Sequence, residues 1–158
     1  MPKVKLDRID RKILNDLQEQ GRMTNVELAQ RAGISAPPCL RRVRALEEAG
    51  VIKGYHADID AGTLGFGVTV FAQVGLSSQS ETDLKKFEDL VRSWPLVREC
   101  YLVSGEADFI MKIVAEDWDS YQKFLTSHLT TAPNVSHIKS ALGIRTAKHK
   151  PGVPVDIE

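Results

Sequence analysis

Four arginines stand out as residues able to bind an anionic partner. Residues 28–46 contain no aspartate or glutamate, but they carry Arg31, Arg41, Arg42 and Arg44. A guanidinium group donates hydrogen bonds in a planar fork that fits phosphate oxygens or the edge of a guanine base. Most charged helix faces are simply solvated, but they usually mix acidic and basic residues. The absence of acids therefore favours contact with nucleic acid.

A helix-turn-helix is the element expected to position these arginines. A first helix begins near Asp7, and Thr24 and Glu27 have the spacing of a capping box at the start of a second helix. Gly33 is suited to end that helix, and Ser35 is the candidate N-cap of a third. Three helices joined in this way place the last one in the major groove of DNA.

The third helix presents a basic outer face if its residues turn by 100° per position. Arg41 then points away from the packed side, with Pro37 near it and the other two arginines on its flanks. Residues 51–59 are predicted to form two short strands with a turn at Gly54, which would be a wing or a cover for the helices. The candidate DNA-binding residues are Thr24, Asn25, Ser35, Pro37, Arg41, Arg42, Arg44 and Lys53.

The remainder of the chain is predicted to form a second domain. Alternating apolar residues over 66–76 indicate a long strand, and the following pattern is typical of the order β-α-β-β-α-β. This order defines a ferredoxin-like sheet whose two helices cover one face. The other face, carrying residues such as Phe71 and Gln73, would be half exposed in a monomer, so we expect a dimer. The predicted fold class is α+β.

Domain boundaries follow from the glycines at positions 62, 65 and 67. We predict a winged helix-turn-helix domain over 1–61, a hinge at about 61–66 and a ferredoxin-like domain over 67–158. The 21 basic and 21 acidic residues cancel, which excludes a uniformly basic coat. No stretch has the length and apolarity of a membrane span, and no signal peptide is recognised, so we expect a cytoplasmic protein.

The chain resembles the Lrp/AsnC, or feast/famine, family of transcriptional regulators. The resemblance is carried by residues 6–14, 21–29, 35–47, 50–55 and 99–109, and it covers nearly the whole chain. It implies a bacterial or archaeal regulator of double-stranded DNA that forms dimers, octamers or larger assemblies. It also implies a response to an amino acid or a related metabolite, with no cofactor.

The resemblance further implies an effector site near a turn of the second domain. Gly105, Glu106 and Asp108 would bind the effector there, with Ser140 on the last strand as a possible hydroxyl contact. Backbone N–H groups at a glycine turn can bind a carboxylate, and a nearby acid can pair with an ammonium group. The alternative is that Gly105 is a hairpin glycine and Asp108 a solubilising residue at a strand edge.

Catalysis is not expected from this sequence. The four histidines are scattered, and Cys39 and Cys100 are far apart, so neither a metal site nor a catalytic residue is predicted. Two alternatives to an effector-responsive regulator remain open at this point. One is an architectural DNA-binding protein without an effector, and the other is a metabolite-binding module that controls an enzyme.

Overall fold

A computed structural model describes residues 4–157 of the chain. It divides into two compact units. The first unit consists of two segments, one that ends at Asp58 and one that begins at Lys148. The second unit is Ile59–Ala147. This division begins the second unit at Ile59, before the predicted hinge at 61–66, and it assigns the residues from Lys148 to the first unit rather than the second. The predicted domain bounds stay a prediction.

Three helices form the first unit: α1 (Arg8–Glu19), α2 (Asn25–Ala32) and α3 (Ala36–Glu48). The capping box predicted at Thr24 forms, and Asp7 makes a second one at the start of α1. The side chain of each accepts a hydrogen bond from a first-turn backbone N–H. Gly33 ends α2 in the left-handed conformation that glycine adopts without strain. The helices meet over a core that includes Ile13, Leu28, Ala29, Cys39 and Leu46.

The wing strands predicted over residues 51–59 do not form. Residues 53–60 have no regular secondary structure, and no strand within residues 4–157 pairs with them. The alternating pattern was a valid strand signal, but a strand also needs a neighbouring strand to satisfy its backbone hydrogen bonds. A side-chain contact holds the segment instead, because the Tyr55 hydroxyl donates to Glu47 Oε1 at 2.8 Å.

The second unit is the predicted ferredoxin-like fold. Its elements are β1 (Val68–Leu76), α4 (Glu81–Arg92), β2 (Val97–Leu102), β3 (Phe109–Ala115), α5 (Trp118–Phe124) and β4 (Val135–Gly143). The strands are antiparallel in the order β2-β3-β1-β4. A π-helical turn, Leu125–Leu129, extends α5.

Alternation along β1 separates the two faces of the sheet. Val70, Ala72 and Val74 are buried in a core that they share with side chains of α4 and α5. Phe71 and Gln73 point to the opposite face, which we call the open face. Phe71 is 42% exposed there, and Tyr101 on β2 is 57% exposed. The expected half-exposed sheet face is therefore present.

Candidate DNA interface and effector site

The turn between α2 and α3 is fixed by an amide side chain. Asn25 Nδ2 donates to the backbone oxygen of Ala36 at 2.8 Å, which ties the start of α2 to the start of α3. Thr24 is similarly occupied, because its hydroxyl both accepts from Glu27 N and donates to the Glu27 carboxylate. These two residues were predicted to bind DNA. In the structure their side chains hold the helix-turn-helix in shape.

The outer face of α3 collects four of the predicted DNA-binding residues. Ser35, Pro37, Arg41 and Arg44 are all exposed there. Ser35 occupies the N-cap position, but its side chain makes no capping hydrogen bond. Within residues 4–157, the guanidinium groups of Arg41 and Arg44 form no ion pair or hydrogen bond. Their donors are thus available for phosphate oxygens or base edges.

Arg42 has a different environment from its two neighbours. Its Nη1 atom lies 2.7 Å from Asp7 Oδ2 and 2.8 Å from Asp10 Oδ1, which joins α3 to the first turn of α1. The backbone N–H of Asp10 and the guanidinium of Arg42 both lower the pKa of Asp7. Arg42 is thus paired within the unit, unlike Arg41 and Arg44, and its contact with DNA stays a prediction.

Replacing Arg42 is expected to affect stability more than recognition. Arg42→Ala removes two charge-assisted hydrogen bonds and leaves Asp10, whose side chain is only 16% exposed, without its cation. We expect a loss of about 1–3 kcal/mol in the free energy of unfolding of the first unit, measured by chemical denaturation. Arg98→Ala, which removes an exposed arginine of the second unit, is the control. An unchanged stability would show that the ion pairs contribute nothing.

Acid should weaken the same contact. A carboxyl whose pKa is lower in the folded state than in the unfolded state stabilises the protein at pH values above its unfolded-state pKa. For Asp7 that unfolded-state pKa is 3.8. This contribution is lost as the pH falls from 3.8 through the folded-state pKa.

Lys53 lies outside the α3 face. It is exposed at the start of the irregular segment that follows α3. Because the wing strands do not form, no hairpin turn positions Lys53, and contact between Lys53 and DNA remains a prediction from sequence.

The turn between β2 and β3 is held by Asp108. One carboxylate oxygen accepts from the backbone N–H of Leu76 at 2.6 Å, and Gln79 Nε2 lies 3.4 Å from the same atom. The Asp108 backbone N–H also donates to Val74 O at 3.0 Å. The Asp108 carboxylate thus joins the turn to the end of β1. Contact between Asp108 and an effector stays a prediction.

A shallow cavity of about 180 Å³ lies beside this turn, on the open face of the sheet. Gly105 reaches a backbone φ of +140°, a conformation that L side chains rarely adopt, and this shapes the cavity wall. Glu106 lies at the rim, with its carboxylate 3.8 Å from Lys139 Nζ on β4. The lining residues are Gln73, Val103, Ser104, Gly105, Glu106, Ala107 and Ile110.

Ser140 does not belong to this cavity. It pairs with Ala72 in the sheet, and its hydroxyl is hydrogen-bonded to the hydroxyl of buried Tyr121 on α5. Side chains opposite each other in a ladder share a face, so Ser140 lies on the helix-covered face, away from the cavity. Ser140 therefore does not join Gly105 and Glu106 in one site, and its contact with an effector stays a prediction.

Sequence reasoning missed Gln73 and Lys139 as residues near the cavity. The two face each other across the β1–β4 ladder, and Gln73 lines the cavity wall. The signal for Gln73 was a polar residue within the alternating apolar residues of β1. Nothing in the sequence pointed to Lys139, because its position depends on the register between β1 and β4.

The two cysteine thiols are the remaining candidate reactive groups. Burial raises the pKa of the Cys39 thiol, and burial together with Glu88 raises that of Cys100 to about 11. Both thiols therefore carry less of the nucleophilic thiolate than an ordinary cysteine at neutral pH. No group of three or more potential metal ligands occurs among these residues. None of their helices is long and apolar enough to cross a membrane.

A helix-turn-helix unit combined with a ferredoxin-like unit defines a class of DNA-binding regulator with a separate ligand-binding domain. Two family models match these units. A winged helix-turn-helix DNA-binding domain matches residues 6–53, and an Lrp/AsnC ligand-binding domain matches residues 69–153. The chain belongs to the Lrp/AsnC family, and it is a DNA-binding transcriptional regulator.

Individual relatives agree over nearly their whole length. The chain is 55% identical over 146 residues to the leucine-responsive regulatory protein of Rhizobium meliloti (strain 1021), with 92% of this chain and 94% of that protein covered. It is 41% identical to the Bkd operon transcriptional regulator of Pseudomonas aeruginosa, with 95% and 98% covered. A crystal structure of a Neisseria meningitidis transcriptional regulator in complex with L-Met superposes with a TM-score of 0.91 at 33% identity, covering 96% and 98%.

Proposed function

We propose that the protein regulates transcription by binding specific DNA sequences with the outer face of α3, in a manner controlled by a small amino acid. The observation that carries the proposal is the pair of exposed arginines, Arg41 and Arg44, on a helix whose inner side packs in the core of its unit. The activity is regulatory rather than catalytic. The site of action is DNA in the cytoplasm of a bacterial or archaeal cell.

The DNA contacts divide by chemistry. Arg41 lies at the centre of the exposed face and is the candidate reader of a base, because a bidentate guanidinium can distinguish guanine from the other bases. Arg44 and the free hydroxyl of Ser35 are suited to phosphate oxygens at the edges of the groove. Pro37 brings no side-chain donor, so its part would be close apolar contact with the groove.

The effector proposed is a zwitterionic amino acid bound at the cavity beside Gly105. Glu106 lines the cavity and Lys139 Nζ lies 3.8 Å from its carboxylate, so one acid and one base stand near an ammonium and a carboxylate bound there. A volume of about 180 Å³ suits a small ligand. The Rhizobium relative is called leucine-responsive and the Neisseria structure contains L-Met, so leucine and methionine are the first candidates.

A second copy of the chain is proposed to cover the open face of the sheet. Phe71, Tyr101 and Val103 are exposed there and would lose contact with water in a dimer. A two-fold axis would also bring two α3 helices to paired half-sites on DNA. Octamers or larger assemblies would then be built from dimers.

The test combines a selection with a titration. Duplexes bound from a randomised pool are sequenced, and affinity for the selected duplex is measured by fluorescence anisotropy with and without each of the 20 amino acids. Light scattering reports the assembly state in parallel. We expect a defined motif, a dimer-based mass and a change in affinity or mass with one or a few amino acids.

The same experiment identifies the alternatives. Binding without sequence preference and without any amino-acid response would indicate an architectural protein. Amino-acid binding without DNA binding at low salt would indicate a metabolite-binding module. Either result would overturn the proposed function.

A further inference from the structure

We propose that residues 148–157 act as a strap that docks on α1 and transmits the state of the effector domain to the DNA-binding unit. This inference rests on the proposed function for the signal that is transmitted. The docking itself is a feature of the first unit, to which the chain returns at Lys148.

The centre of the strap is bound by a single glutamine. Gln18 Nε2 donates to Val153 O at 2.7 Å, and Val153 N donates back to Gln18 Oε1 at 3.2 Å. One side-chain amide thus satisfies both backbone groups of one residue, as a neighbouring strand would do. These two hydrogen bonds fix which residue of the strap lies beside Gln18, and therefore the register of the strap along α1.

Gly152 permits this contact in two ways. Its φ of +77° lies in the left-handed region, which side chains disfavour. A Cβ at this position would also lie 2.1 Å from Gln18 Oε1, so the amide of Gln18 would have to move away and give up its hydrogen bonds to Val153. A glycine next to Val153 is therefore required for the two hydrogen bonds of Gln18.

Further contacts hold both ends of the strap. Lys150 Nζ lies 2.6 Å from Glu19 Oε1 at the end of α1, and Arg11 Nη1 donates to Asp156 O at 3.2 Å near its beginning. The strap consequently runs antiparallel to α1 and contacts it over more than two turns. Its partner surface is the side of α1 that carries Arg11, Gln18 and Glu19.

Connectivity gives the strap a regulatory position. β4 ends at Gly143, only four residues before the strap begins, and it carries Lys139, whose ammonium contacts Glu106 at the cavity rim. The first unit is thus connected to the second by two segments of chain, one after Asp58 and one before Lys148. A shift of β4 on effector binding can be passed to α1 through the docked strap, whereas a single linker would transmit little.

The experiment releases the strap without touching either proposed binding surface. Gly152→Ala is compared with wild type and with His149→Ala, an exposed substitution in the same segment. Gln18→Ala, alone and combined with Gly152→Ala, removes the atom with which the new methyl group collides. Docking is measured by hydrogen exchange of the α1 amides in the full-length protein. Coupling is measured as the fold change in affinity for the selected duplex on adding L-leucine or L-methionine.

The expected pattern separates docking, coupling and the proposed function. In Gly152→Ala the α1 amides should exchange about tenfold faster, while L-leucine or L-methionine still binds in a calorimetric titration without DNA. The effector-induced change in DNA affinity should fall to within about twofold of unity. In the Gln18→Ala background, Gly152→Ala should add little further change, because the two act on one contact.

Two results would overturn the proposal. Unchanged α1 exchange in Gly152→Ala would show that the strap is not docked in solution. Faster exchange with a wild-type effector response would show that the docked strap transmits nothing. If wild type itself shows no effector response, the proposed function fails and the coupling fails with it, while the exchange data still decide whether the strap docks.

Discussion

Arg41→Ala is expected to weaken binding to the selected duplex by about 1–3 kcal/mol, or roughly 5- to 150-fold, and to relax the preference at one base position. Arg41 is exposed on α3 and forms no internal ion pair within residues 4–157, so its removal leaves the first unit intact. Fluorescence anisotropy against the selected duplex and its single-base variants measures both effects. The thermal unfolding midpoint should stay within a degree or two of wild type.

Arg44→Ala and Arg98→Ala provide the matched comparisons. If Arg44 contacts a phosphate, its removal should weaken all duplexes alike and reduce the salt dependence of binding, without altering base preference. Arg98 belongs to β2 in the second unit, and its loss should leave DNA affinity unchanged. Wild-type affinity and base preference in Arg41→Ala would remove Arg41 from the interface and contradict the proposed role of the α3 face.

Asp108→Ala and Asp108→Asn are expected to behave differently. Alanine leaves the backbone N–H of Leu76 without its acceptor, which should cost about 1–3 kcal/mol in the stability of the second unit. The turn that carries Gly105 and Glu106 would then lose its attachment to β1. We therefore expect effector affinity to fall at least tenfold in Asp108→Ala, as measured by calorimetry.

Asparagine retains an oxygen that can accept from Leu76 N. Asp108→Asn should accordingly keep most of the stability and bind the effector within about threefold of wild type, because Asp108 acts by positioning the turn. A stable Asp108→Asn that no longer binds the effector would instead show that the carboxylate contacts the ligand's ammonium group. Glu106→Gln serves as the contrast, since its carboxylate at the cavity rim is the proposed partner of that ammonium.

In the helix-turn-helix, local sequence patterns predict the helix caps but not the ion pairs between helices. Thr24, Glu27 and Gly33 are predicted correctly because capping chemistry depends only on residues within the same turn. Arg41 and Arg42 are adjacent in sequence and equal in chemistry, yet one is exposed and the other pairs with Asp7 and Asp10. The sequence could not separate them, since the pairing depends on how α1 and α3 pack.

The effector domain shows the same division. Alternation in β1 and the apolar stripes of α4 and α5 predict the βαββαβ order, which the structure confirms. Local alternation cannot reveal that Ser140 opposes Ala72, or that Lys139 reaches the Gly105 turn. Both facts depend on strand register, which is set by pairing between residues far apart in the chain.

The sequence by itself therefore determined the family, the order of helices and strands, the capping residues and the basic character of α3. These properties depend on short-range periodicity, turn chemistry and ordered motifs. Only the tertiary structure decided which arginine is internally paired, which face of the sheet holds the cavity, and that the chain returns to α1 after β4. Each of these results depends on contacts between distant segments, where the balance of burial, charge pairing and backbone hydrogen bonding is set by three-dimensional proximity.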